Sequence, residues 1–164
     1  MSENTQQPNN HGTFSIHNLY IKDVSFEAPN SPFIFQDNWQ PKVDFDFGLD
    51  HESLKEQELY EVTLSFTVTV KNADKTAFLV EAKQAGVFQI TNFKPNEIEE
   101  IISTTCPTIL FPYVRELISG LVIKGGFPSL LIPPVNFDAL YMQHLERQRN
   151  PNSNVVNLSE IQGA

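Results

Sequence analysis

The stretch Leu59–Lys71, LYEVTLSFTVTVK, alternates apolar and polar residues almost without fault. Tyr60, Val62, Leu64, Phe66, Val68 and Val70 share one side, and Thr63, Ser65, Thr67 and Thr69 the other. Successive side chains of a strand point to opposite faces, so the pattern predicts a strand buried on one side. Such a strand needs neighbours to pair its backbone and a layer to cover its apolar face.

Three more stretches have the same period. From Phe14, the residues Phe14, Ile16, Tyr20, Val24 and Phe26 fall on one face, and Leu19, Ile21, Asp23 and Glu27 on the other. Pro29 and Pro32 end that strand and open a long connection to Pro41, which holds Phe33, Ile34, Phe35 and Trp39. So many aromatics are unusual in a connection, because loops run over the surface. In VDFDFGLD, Val43, Phe45, Phe47 and Leu49 alternate with Asp44, Asp46 and Asp50, which predicts a half-buried strand with an acidic outer face. HESLKEQE reads as a polar turn and NADK as a hairpin turn. The fourth strand, TAFLVEAKQAGVFQI, sets Phe78, Val80, Ala82, Phe88 and Ile90 against Leu79, Glu81 and Lys83. Short links predict an antiparallel meander of four strands.

After Asn92 the spacing becomes helical. Pro95 suits a first helical position, and Glu97, Glu99 and Glu100 suit the positive end of a helix. Pro107 and Pro112 are expected to divide or kink the run into a short and a longer piece, which Gly125 and Gly126 terminate. The longer piece is apolar nearly all round, from Ile109 to Val122. A sheet covers only one stripe of such a helix, so a second subunit is the simplest cover for the rest. FPSLLIPPV is an extended connector, and Asn136 caps a last helix through NFDALYMQHLERQ. Residues 1–12 are expected to form a disordered arm, residues 13–148 one folded domain, and residues 149–164 a flexible tail.

The chain has 164 residues, enough for one domain with a sizeable core, and a formal net charge of −9. That balance argues against a nucleic-acid binder, which needs basic groups to displace counterions. A single cysteine, Cys106, permits no internal disulfide, and together with a polar, signal-free N-terminus it points to the cytoplasm. No run of about 18 apolar residues predicts a membrane span. The four histidines are scattered, no phosphate loop or nucleophile motif is present, and Cys106 has no nearby cation to activate it. The chain therefore reads as a binding protein rather than an enzyme. Two surfaces could do the binding. One is the sheet face bearing Asp23, Glu27 and Glu81 beside Leu19, Ile21 and Leu79, where acids would orient a partner and aliphatics supply burial. The other is the aromatic connectors, which would form a groove for extended peptide.

Three stretches carry a family resemblance: YIKDVSFEAPNSPFIFQDNWQP, FLVEAKQAGVF and CPTILFPYVRELISGLVIKGGFPSLLIPPVNFDALY. Over Phe14 to Gln148 the chain resembles the SecB family of protein-export chaperones. The resemblance implies an α+β fold, a four-stranded antiparallel sheet with two main helices packed on one face, assembled as a homotetramer (a dimer of dimers). It implies an ATP-independent holdase that binds unfolded secretory precursors in the cytoplasm and passes them to the SecA motor, with no cofactor. By the same resemblance, Asp23, Glu27, Leu79 and Glu81 would dock SecA. Phe33, Phe35 and Trp39 of the crossover loop would hold clients, with Phe127, Leu130, Phe137 and Tyr141 completing the groove. The tail RQRNPNSNVVNLSEIQGA departs from the family's often acidic one. The alternative is a SecB-like chaperone or adaptor dedicated to one partner, such as an antitoxin.

Overall fold

The computed structural model describes residues 11–54 and 58–151. Most of the expected arm and tail, and the centre of HESLKEQE, lie outside these residues. Four strands, β1 (Thr13–Glu27), β2 (Pro41–Leu54), β3 (Leu59–Asn72) and β4 (Lys75–Thr91), form one antiparallel sheet. Three helices follow: α1 (Pro95–Ser103), α2 (Thr105–Lys124) and α3 (Phe137–Arg149).

The sheet order is β1-β4-β3-β2. This corrects the simple meander: β2, β3 and β4 form one, but the connection after β1 carries the chain to the far edge, and β1 then pairs with β4. That connection folds over a short 3-10 turn, Phe33–Gln36, whose Ile34 is 2% exposed. A second correction concerns the β2–β3 turn. HESL is strand, with Glu52 opposite Glu61 and Leu54 opposite Leu59. Its polar composition suits an exposed edge, where backbone pairing on one side suffices.

A third correction lies within β1. Its register against β4 slips between Ile16 and Asn18, and again between Ile21 and Asp23. Each bulge adds one residue and flips the alternation that follows. Between the bulges, Leu19 opposes Gly86 and Ile21 opposes Gln84, on the helix side, while Tyr20 opposes Ala85 on the outer side. Strict alternation assigns all three the other way. The second bulge restores the phase, so Val24 and Phe26 face the helices, opposite Ala82 and Val80. Asp23 and Glu27 point outward.

The helix layer lies over the central strands. Cys106, Leu110, Val114, Ile118 and Val122 are each fully buried and recur every four residues, giving α2 one continuous buried stripe over β4 and β3. Facing it are Val62, Leu64, Phe66, Val68, Phe78, Val80 and Phe88, all at most 2% exposed. The chain breaks between α1 and α2 at Thr104, three residues before Pro107. Pro107 falls in the first turn of α2, where its missing N–H has no helical partner to lose. Pro112 is accommodated inside α2. The segment Pro95–Lys124 is long and apolar enough to cross a membrane by length and composition. The break at Thr104 and the stripe buried on the sheet make it a core element instead.

The ends are capped as the sequence suggests. Glu97 accepts from the Lys94 N–H at 2.8 Å, Asn136 accepts from the Ala139 N–H at 3.0 Å, and Gly125 and Gly126 close α2. Burial pushes the Cys106 thiol up to about 12. An unfolded thiol ionises near pH ~8.5, so stability linked to the protonated thiol is present below that and is lost as pH rises towards the folded value. Native Cys106 is expected to resist thiol reagents until denaturant exposes it. Urea titrations between about pH 8 and 10 should show an alkaline loss of stability that Cys106→Ala reduces. Rapid native labelling would contradict this burial.

Candidate functional site

The outer sheet face brings the expected docking residues together. Glu27 lies opposite Leu79, and Ser25 opposite Glu81, while Asp23 is opposite Lys83. Directly opposed residues have Cβ atoms about 5 Å apart, so two carboxylates and Leu79 share one small patch, with Asp23 one row beyond. Leu79 is half-buried, and the three acids are exposed. None of the acids forms an ion pair with a described residue. Leu19 and Ile21 are not part of this patch, because the bulges turn them to the other face.

The same rows continue across the sheet: Leu79 is followed by Thr69 and Asp44, and Glu81 by Thr67 and Asp46. The acidic face thus reaches β2. This signal was present in VDFDFGLD, but only the register shows which of its acids align with Glu81.

The crossover loop is held in place by polar straps. Asn30 Nδ2 donates to the Thr76 carbonyl at 2.9 Å. Asn72, 3% exposed, donates to the Asn38 carbonyl at 3.0 Å and accepts from the Gln40 N–H at 2.8 Å. Lys75 reaches Asp37 at 3.3 Å. The loop is thereby tied to the β3–β4 hairpin. Nothing in the sequence marks Asn72 for this role beyond its place at a turn.

Inside the straps, aromatic rings form a chain. Phe127 stands 5.2 Å from Phe35, 5.8 Å from Trp39 and 4.8 Å from Phe78, centroid to centroid. Phe78 in turn stacks on Phe26 at 5.8 Å. Phe127 is buried, Trp39 half-buried, and Phe35 and Phe33 are 50% and 73% exposed. Buried Phe127 is therefore the floor against which the more exposed rings rest.

Phe137 belongs to a second cluster, edge-on to Phe47 at 6.0 Å and to Phe111 at 6.2 Å. It is 4% exposed. Leu130 and Tyr141 are half-buried. Burial, with Glu99 and Glu100 nearby, raises the Tyr141 phenol above its ordinary value. Leu131 and Met142, 85% and 58% exposed, add apolar surface on the connector and on α3. Sequence period could not show which of these apolar residues are covered, since loops have none.

A third surface lies on the helix side of β1. Leu19, Ile21 and Gln84 line a cleft of about 510 Å³ with Tyr113, Leu117 and Leu121 of α2. Ile21, Val24, Tyr113 and Ile123 are 40–59% exposed. Among the described residues, no group of three or more His, Cys, Asp or Glu could hold a metal ion.

The fold and these surfaces define a class: a two-layer α+β binding protein with a charged outer sheet face and aromatic clusters on its helix side. The family model Preprotein translocase subunit SecB matches residues 4–148, and the chain belongs to the SecB family of protein-export chaperones. Protein-export protein SecB of Methylococcus capsulatus is 53% identical over 146 residues, 89% of this chain and 92% of that one. The protein of the same name in Hahella chejuensis is 45% identical, covering 91% and 92%, and that in Legionella pneumophila 47%, covering 89% and 90%. A solved structure shares the fold at a TM-score of 0.63 and 17% identity, covering 75% of this chain and 91% of its own. It is a SecB-like chaperone of Mycobacterium tuberculosis in complex with an antitoxin peptide.

Exposed and buried rings differ in what removing them does. Phe33→Ala is expected to change unfolding free energy by less than about 0.5 kcal/mol in urea titration. Phe127→Ala should cost about 3–5 kcal/mol, because it leaves a cavity among Phe35, Trp39 and Phe78. Similar costs for both would mean that Phe33 is covered.

Proposed function

We propose that the chain is an ATP-independent holdase that captures unfolded secretory precursors in the cytoplasm and delivers them to the SecA motor. Its membership of the SecB family supports the chaperone role. The observation that carries the division of labour is the two-sided sheet: acids face outward from β1 and β4, and aromatic rings gather on the opposite side.

On the helix side, Phe33, Phe35 and Trp39 contact extended apolar segments of a client, with Leu130 and Tyr141 extending the surface. Phe127 and Phe137 support it from beneath. The straps through Asn30, Asn72 and Asp37 hold the loop ready, so less ordering entropy is lost on capture. Each contact is weak, but a long chain occupies several sites, and the effective concentration multiplies avidity by about 10²–10⁴-fold. A folded client has buried those segments and leaves.

On the outer side, Asp23, Glu27 and Glu81 attract a basic region of SecA while Leu79 supplies apolar contact. The unpaired apolar side of α2 and the cleft beside β1 fit a second copy of the chain, and assembly as a dimer of dimers multiplies the client surfaces. Light scattering of the purified protein is expected to give the mass of four chains. A monomer at all concentrations would remove the assembly.

Reversing charge in the doubly substituted Asp23→Lys, Glu81→Lys protein should weaken SecA binding at low salt by at least about tenfold, with affinity for an unfolded precursor unchanged. Equal loss of both activities in an intact assembly would defeat the assignment of the two faces.

A further inference from the structure

Glu61, on β3, makes two contacts across β4. The Tyr20 hydroxyl donates to its Oε2, and Lys22 Nζ reaches its Oε1 at 2.5 Å. Both donors come from β1, which is not a neighbour of β3 in the sheet. Two strand spacings separate β1 from β3, about 10 Å, so only long side chains can span them. Ala85, opposite Tyr20 on the intervening strand, is fully buried although it faces away from the helices, as expected beneath such a span. Burial and the Glu61 carboxylate push the Tyr20 phenol up to about 12, and the Lys22 and Tyr20 bonds hold Glu61 below its ordinary value.

The position of this clamp matters more than its strength. It grips β1 between the two bulges and at the second one, where the register shifts between Ile21 and Asp23. A strand that loses one bulge slips by one residue and exchanges its faces. Without the second bulge, Asp23 and Glu27 would turn towards the helices. Lys22 also adjoins Asp23 in sequence, and its ammonium pairs with Glu61 rather than with that carboxylate.

We propose that Glu61 is a positioning residue for partner docking: with Tyr20 and Lys22 it locks the second bulge of β1, keeps Asp23 and Glu27 on the outer face, and sequesters the Lys22 charge from them. This rests on the docking role proposed above for Asp23 and Glu27.

Hydrogen exchange tests the lock without reference to any partner. In Glu61→Ala, amides from Tyr20 to Phe26 are expected to exchange faster by roughly tenfold or more, the change that losing a charged hydrogen bond implies. Glu61→Gln, which keeps an acceptor for Tyr20, should fall between Glu61→Ala and the parent. If Glu61→Ala does not fold, Lys22→Met and Tyr20→Phe remove the two contacts separately, and each should accelerate the same amides. Parent-like exchange in the folded Glu61→Ala protein, or in both single-contact variants, overturns the lock.

Purified SecA tests the charge. Glu61→Gln should weaken its binding several-fold at low salt, and adding Lys22→Met to that variant should restore part of the affinity. A purely structural role predicts no such rescue, so its absence overturns the sequestration. Asp23→Lys serves as the reference: if it leaves SecA binding unchanged, the docking role itself fails, whatever the exchange data show.

Discussion

The contact on which the rest of the structure depends is the buried stripe of α2 against β3 and β4. Cys106, Leu110, Val114, Ile118 and Val122 each lose all exposure there. Burying a large apolar side chain contributes about 1.5–3 kcal/mol, so this contact fixes which sheet face is interior. Once Phe66, Val68, Phe78 and Val80 must face α2, alternation leaves Thr67, Thr69, Leu79 and Glu81 no choice but the other side. The acidic face is thus a consequence of how the core packs.

The same contact also leaves part of α2 uncovered. Tyr113 and Ile123 are 46% and 59% exposed on a helix whose opposite stripe is dry. The bulges of β1 add Leu19 and Ile21 to this uncovered side instead of to the acidic one. Apolar surface accordingly collects beside α2, where it suits association, while the outer face keeps its polar character, with Leu79 half-buried among its acids. Putting Leu19 and Ile21 outward would have made the acidic face more adhesive and less selective.

Much of this was legible in the sequence because burial and period coincide. Asp23, Glu27, Leu79 and Glu81 point outward as alternation predicts, and the caps at Asn136 and Gly125–Gly126 follow from local chemistry. The errors have a common cause. Alternation counts residues and cannot detect an inserted one, so it places Leu19, Tyr20 and Ile21 on the wrong faces. The two bulges cancel, which is why the error stopped before Asp23. Strand order was missed because pairing of β1 with β4 is a long-range choice, decided by the crossover loop rather than by turn residues. The aromatic residues of the loops were recognisable as a set. Their division into floor and surface was not, because Phe127 and Phe35 have the same chemistry and differ only in what lies over them.

The two faces meet in β1 and β4, and this limits how they can influence one another. Glu27 and Phe26 are adjacent residues, one on the acidic patch, the other stacked on Phe78, which in turn meets Phe127. A partner on the outer face and a client on the helix side would therefore sit across a single strand layer without competing for atoms. Any coupling between them must pass through the backbone of β1 or β4, since side chains on one face of a sheet do not reach the other. A stiff, clamped β1 would transmit little, and the two partners would bind independently. Transfer of a client would then rest on the motor's own capture of the chain as segments leave the aromatic surface, because weak contacts released one at a time need no switch in the chaperone.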